Sequence, residues 1–133
     1  MKITIKPDKA KAKSLREMST ITLKRLEETD MEKYPSNTLK DYYDIIKELM
    51  ESLLYLEGIK MKGEGAHYET IEYICKEYKF SEASRTLLQD MREYRNRIAY
   101  EGFLVESNYL KRNEDLFKLT IGILKKIFVD KPL

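Results

Sequence analysis

Apolar residues recur along most of this chain at steps of three and four, the spacing that places them on one face of an α-helix. The clearest run is Leu39, Tyr42, Ile46, Leu49, Leu53 and Leu56, separated by 3, 4, 3, 4 and 3 positions. Ser36 or Asn37 stands ahead of it as a capping residue, and the glycines of "GIKMKGEG" close it. A weaker stripe of Leu15, Met18, Thr22 and Leu26 predicts a first helix from Asp8 to about Glu28, broken by "DMEKYPSN". A short helix is expected over "HYETIEYICKEY", another from Ser81 to a stop at Gly102, and a last one carrying Leu110, Phe117, Ile121, Leu124 and Phe128, stopped by Asp130 and Pro132. "MKITIK" alternates as a strand does. One isolated strand has nothing to pair with in an otherwise helical chain, so residues 1–7 are expected to form an arm on a single helical domain, 1–133. The fold class expected is all-α, an up-and-down bundle of four to five helices.

Composition agrees with this pattern. Hydrophobic residues make up 42% and charged residues 36%, with five Gly and three Pro, which excludes a disordered or glycine-rich β chain. The start lacks the apolar stretch of a signal peptide, and no uncharged run approaches the roughly 20 residues of a membrane span, so a cytoplasmic protein is expected. The lone Cys75 has no partner for a disulfide and falls at apolar spacing in "IEYICKEY", where packing is its expected role. Net charge is +2, but residues 1–25 hold eight Lys or Arg against Asp8 and Glu17, a local +6 that leaves −4 for the rest. Such a row reads either as a solvated helix face or as a salt-sensitive contact to phosphates.

Two stretches resemble functional motifs and fail on chemistry. "GIKMKGEG" has the glycine spacing of a phosphate-binding loop, but Glu64 and Gly65 follow its second glycine where Lys and Ser or Thr are required. "EGAH" has the Glu-x-x-His spacing of di-iron bundles without the second pair such sites need. His67 is the single histidine, which rules out a pair of histidines within one chain and leaves a helix-start or surface position. No metal and no cofactor are expected.

The informative stretch is "REYRNRIAYEG", residues 92–102. At about 100° per residue from Leu88, the arc from Tyr94 through Leu87, Ile98 and Met91 is the apolar side, and Arg95 falls between Met91 and Leu88. An unpaired guanidinium there would lose its hydration, so Arg95 requires a partner. Arg92, Asn96 and Tyr100 make an adjoining polar stripe, while Arg97 is expected at the surface, paired with Glu93. The partner of Arg95 is either a carboxylate on another helix or a bound phosphate, since a planar guanidinium grips phosphate with two prongs. Asn96 would add a hydrogen bond and Tyr100 a stacking face.

"YRNRIAYEG" on the penultimate long helix, with "GIKMKGEGAHYETIEYI" upstream, resembles the HEPN family (higher eukaryotes and prokaryotes nucleotide-binding domain), especially its small archaeal and bacterial members; the likeness spans nearly the whole chain. The resemblance implies a helical bundle that forms a homodimer with two copies of the motif facing across a cleft. Many members are metal-independent ribonucleases, often toxins beside a minimal nucleotidyltransferase that serves as partner and antitoxin. Active members carry an Arg, a polar neighbour and a His five positions after that Arg. Arg95 and Asn96 match, but Tyr100 stands at the histidine position. A tyrosine near its ordinary pKa is ionised in about one molecule in a thousand at pH 7, so base catalysis would fall by up to that factor unless two facing Arg95 side chains lower it. A tyrosine many toxins carry two positions further on is Gly102 here.

The expectation is a dimeric HEPN-type protein that binds RNA or a nucleotide, or acts as the toxin-like partner of a nucleotidyltransferase, with a degenerate site. Arg95, Asn96 and Tyr100 would form the catalytic remnant, and Arg92 and Arg95 the phosphate contact. The alternatives are an active metal-independent endoribonuclease and a structural bundle without a ligand.

Overall fold

In the computed structural model, which describes residues 1–131, the order of elements is β1 (Lys2–Thr4), α1 (Lys9–Glu27), α2 (Pro35–Glu57), β2 (Ile59–Met61), α3 (Ala66–Glu77), α4 (Glu82–Glu101) and α5 (Ser107–Asp130). The protein is thus mostly helical, with five helices and one small two-stranded sheet. The end of α5 at Asp130 agrees with the expected stop; Pro132 lies outside the described residues. No helix among the described residues is long and apolar enough to cross a membrane.

α2 occupies the middle, packed on α1, α3, α4, α5 and β2. Its stripe Leu39, Ile45, Ile46, Met50 and Leu53 is fully buried, and it meets Leu88 and Met91 of α4 and Leu110, Phe117 and Leu124 of α5 in a single core. Removing any one of these side chains to Ala costs about 2 to 5 kcal/mol in such packing. Cys75 is buried in the same core, as its spacing implied, and burial pushes its thiol up to about 12, so it stays a neutral thiol at neutral pH.

The helix ends show where local signals ruled and where they did not. Asp8 caps α1, its side chain accepting from Lys11 N at 2.9 Å, and Ser81 caps α4 by accepting from Ser84 N at 3.1 Å. α2 starts earlier than its polar residues suggest: Pro35 is its first residue, Tyr34 precedes it, and no side chain caps it. Proline's preset φ and missing N–H suit the first turn, so the helix takes in Ser36 and Asn37. Ser36 Oγ instead accepts from Val105 N at 2.9 Å, tying the α4–α5 connection to the start of α2.

Residues 2–4 are not part of a free arm. Lys2, Ile3 and Thr4 pair antiparallel with Met61, Lys60 and Ile59. Ile5 N donates to Gly58 O at 2.8 Å and Asp8 N to Tyr55 O at 3.0 Å, so the chain start is fastened to the end of α2. The stretch after α2 carries its own alternation, Ile59 and Met61 between Lys60 and Lys62, but three residues are too few for a period of two to stand out from a glycine-rich turn. Gly58 makes the approach feasible: it lies at φ +72°, and a Cβ there would come within 2.7 Å of Ile5 O.

Candidate functional site

α4 presents its apolar residues to α2 and α3 as the spacing predicted. Leu87, Leu88 and Met91 are buried, and Tyr94 and Ile98 are half-buried. Tyr94 stacks on Phe103 with centroids 5.7 Å apart and meets Tyr109 edge-on at 4.8 Å. These rings lock the C-terminal turn of α4 against the following loop and α5, while Gly102, at φ +66°, ends the helix.

Arg95 lies beside this core rather than in it. Its side chain is 29% exposed, as a long side chain is when its stem covers apolar surface and its head stays near water. The partner that its position demanded is Asp44 of α2, with Nε 3.7 Å from Oδ1 and the carboxylate 33% exposed. That separation is an ion pair but not a hydrogen bond. No hydrogen bond from the Arg95 guanidinium to a protein group is present among the described residues, and Asp44 Oδ1 itself is buried with no donor. The adjacent Tyr43 hydroxyl is also buried and unpartnered; burial first, opposed by Arg92 and Arg95 and reinforced by Glu51 and Asp44, pushes it up to about 12.

The other proposed residues separate into two groups. Arg92 is occupied: Nε donates to Gln89 Oε1 at 2.9 Å, an amine lies 3.7 Å from Glu93, and the guanidinium sits 5.5 Å from the Tyr68 ring centre. Asn96 and Tyr100 are exposed, Tyr100 to 86%, and neither is hydrogen-bonded to Arg95. Arg97 is on the surface, but its partner is Glu101 at 3.1 Å rather than Glu93, and its guanidinium lies 3.9 Å over the Phe103 ring. Phe103 folds back beneath the last turn, so stacking draws Arg97 toward the C-terminal acid. His67, in the first turn of α3, is exposed.

Spacing along α4 alone missed the surface it faces. Asp41, Asp44, Glu48 and Glu51 follow one another at i, i+3, i+7 and i+10 on α2, all half-buried. Asp41 is gripped by Arg25 of α1 at 2.5 Å, Asp44 by Arg95 of α4. Glu48 has no ion-pair partner among the described residues; burial and then the charge of Asp44, with a lesser push from Glu51 against the pull of Lys47, raise its carboxyl to about 7. The signal was present in "DYYDIIKELME" as a polar stripe inside an otherwise apolar helix.

The arrangement is therefore a shallow, mixed-charge surface between α2 and α4. The Arg95 guanidinium stands at its edge, while the exposed Asn96 and Tyr100 lie further round α4, about 100° and 140° from Arg95. The larger clefts of the molecule are lined by other residues. No group of three or more His, Cys, Asp or Glu among the described residues is placed to hold a metal ion. Compared with known proteins, the chain matches no family model, no curated protein and no solved structure.

Proposed function

We propose that this protein is a HEPN-type homodimer that binds RNA or a nucleotide through Arg95, with Asn96 and Tyr100 as accessory contacts and a weakened or lost ribonuclease activity. The observation that carries this reading is the Arg95 guanidinium, positioned by α4 and neutralised loosely by Asp44 at 3.7 Å, yet making no hydrogen bond to the protein among the described residues. A phosphate can take up those donors with two prongs without first breaking a tight bond. Tyr100, about 140° around α4 from Arg95, and Leu104 in the following loop are 86% and 81% exposed, large apolar groups left in water by a single chain. A second copy covering them would turn the open surface into a cleft holding two Arg95 side chains. A nucleotidyltransferase as the further partner rests on the family resemblance alone.

A structural role is the second reading, favoured by the same Asp44 pair. One comparison separates the two: end-labelled RNA incubated in EDTA with wild type and with Arg95→Ala, after equal folding is verified. The proposal expects wild type to bind RNA and the variant to bind at least about tenfold more weakly, with little cleavage by either. Metal-independent cutting to cyclic-phosphate ends by wild type alone would instead make the protein an active endoribonuclease. Undiminished binding by Arg95→Ala, or a monomer that binds neither RNA nor nucleotide, would sink the proposal.

A further inference from the structure

The basic start of the chain is not spread evenly around α1. Lys9, Lys13 and Arg16 stand at i, i+4 and i+7, hence on one face, and line a cleft of about 740 Å³ between α1 and the end of α5, with Thr20, Phe128 and Val129 completing its walls. Lys9 and Lys13 are exposed, and none of the three cations forms an ion pair among the described residues. Among the described residues, Glu17 is the one carboxylate in the lining. Arg16 is held in place by the buried Phe128 ring, 4.4 Å from its guanidinium. Of the other basic residues of α1, Lys11 lies over the Tyr55 ring and Arg25 pairs with Asp41.

Lys9 and Lys11 sit in the first turn of α1, at the positive end of the helix dipole, where the Asp8 cap is the adjacent carboxylate. Lys13 and Arg16 lie beyond that turn, and the row of Lys9, Lys13 and Arg16 carries three cations on one helix face without an ion pair among the described residues.

From these observations we infer that the α1–α5 cleft is a binding site for a phosphodiester chain, separate from the Arg95 surface. Seven residues of helix set the outer cations about 10 Å apart along the axis, more than one phosphate group spans, so the row suits two or more phosphates of one strand.

The test is fluorescence anisotropy with a labelled oligouridylate of about twelve nucleotides, titrated at several salt concentrations with the full chain. Four proteins are compared: wild type, Lys9→Gln/Lys13→Gln, Arg95→Ala, and Lys33→Gln/Lys62→Gln, which removes the same charge at exposed sites elsewhere. The cleft site predicts that Lys9→Gln/Lys13→Gln weakens binding by about tenfold or more and flattens the salt dependence by roughly 1.4 in log–log slope, about 0.7 for each phosphate no longer neutralised. Arg95→Ala should keep the wild-type slope to within about 0.7. Equal affinity and slope for the two lysine double variants would overturn the site, as would absence of oligonucleotide binding by wild type. Loss of binding in Arg95→Ala alone would overturn it while leaving the proposed function standing. Vesicles of phosphatidylserine and phosphatidylcholine serve as the last arm; if they bind through Lys9 and Lys13 where the oligonucleotide does not, the ligand class is wrong.

Discussion

A guanidinium 3.7 Å from a carboxylate, each about a third exposed, contributes at most about 1 kcal/mol to stability, since solvent screens the pair. Arg95→Ala should therefore lower the unfolding free energy from urea titration by less than that amount, far from the roughly 3 to 5 kcal/mol of a buried pair that loses one partner. A loss of the larger size would assign Arg95 to the fold instead of to a ligand. Glu48 supplies a second residue-scale expectation. Its carboxyl is raised from 4.5 to about 7, so the unfolded chain gives up this proton at lower pH than the folded one. The resulting destabilisation is absent below about pH 4.5, grows through the interval, and is full above about pH 7. Glu48→Gln should leave the urea midpoint at about pH 4 unchanged and raise it at about pH 8. Equal effects at the two pH values would show that Glu48 is not desolvated as described. Arg95 itself was legible from spacing, because a helix face is a local property. Asp44 as its partner was not, because α2 and α4 meet only in three dimensions and nothing in either segment specifies their register.

At the scale of elements, α2, α4 and α5 follow their apolar stripes; α1 departs from its expected one, since Met18 is exposed and Ala12 and Ser19 are buried beside Thr22 and Leu26. α3 ends with Lys79 in the left-handed region at φ 54°, where Phe80 N reaches back to Cys75 O at 2.9 Å and Lys79 N to Lys76 O at 3.4 Å. This closing turn usually carries glycine at the position Lys79 occupies. Lys79→Gly should stabilise the protein by about 0.5 to 1 kcal/mol, the left-handed strain relieved less the added freedom of the unfolded chain. A loss of stability in thermal unfolding would show that the lysine side chain does something there that glycine cannot. Gly58 presents the opposite case. Gly58→Ala combines a positive φ with a Cβ 2.7 Å from Ile5 O, and should cost more than about 2 kcal/mol. It should also speed hydrogen exchange at Ile5 N, which bonds to Gly58 O. The β1–β2 pairing was invisible in the sequence for the same reason that Gly58 is sensitive: it joins residues 2–4 to residues 59–61, and only the packed end of α2 brings them together.

At the scale of the whole molecule, the excess positive charge of residues 1–25, +6 against −4 elsewhere, is resolved by the fold into different surfaces. Arg25 and Lys11 turn toward α2, whereas Lys9, Lys13 and Arg16 face the cleft beside α5. The apolar groups exposed near the end of α4 belong to the same scale, because only assembly can remove them from water. Sedimentation velocity of wild type should give a dimer, and Leu104→Asp should shift it toward monomer without altering the far-ultraviolet circular dichroism. A wild-type monomer at about 100 μM would separate Arg95 from any paired cleft. The sequence by itself determined the helices, several of their caps, the buried stripe of α2 and the α4 face that carries Arg95, because periodicity and capping act over a few residues. Tertiary structure alone decided that the chain start becomes a strand, that Asp44 pairs with Arg95, that Glu48 forms no ion pair among the described residues, and that α1 and α5 border an open basic cleft. Each of these depends on two surfaces from distant parts of the chain meeting, and core packing around α2 sets that meeting.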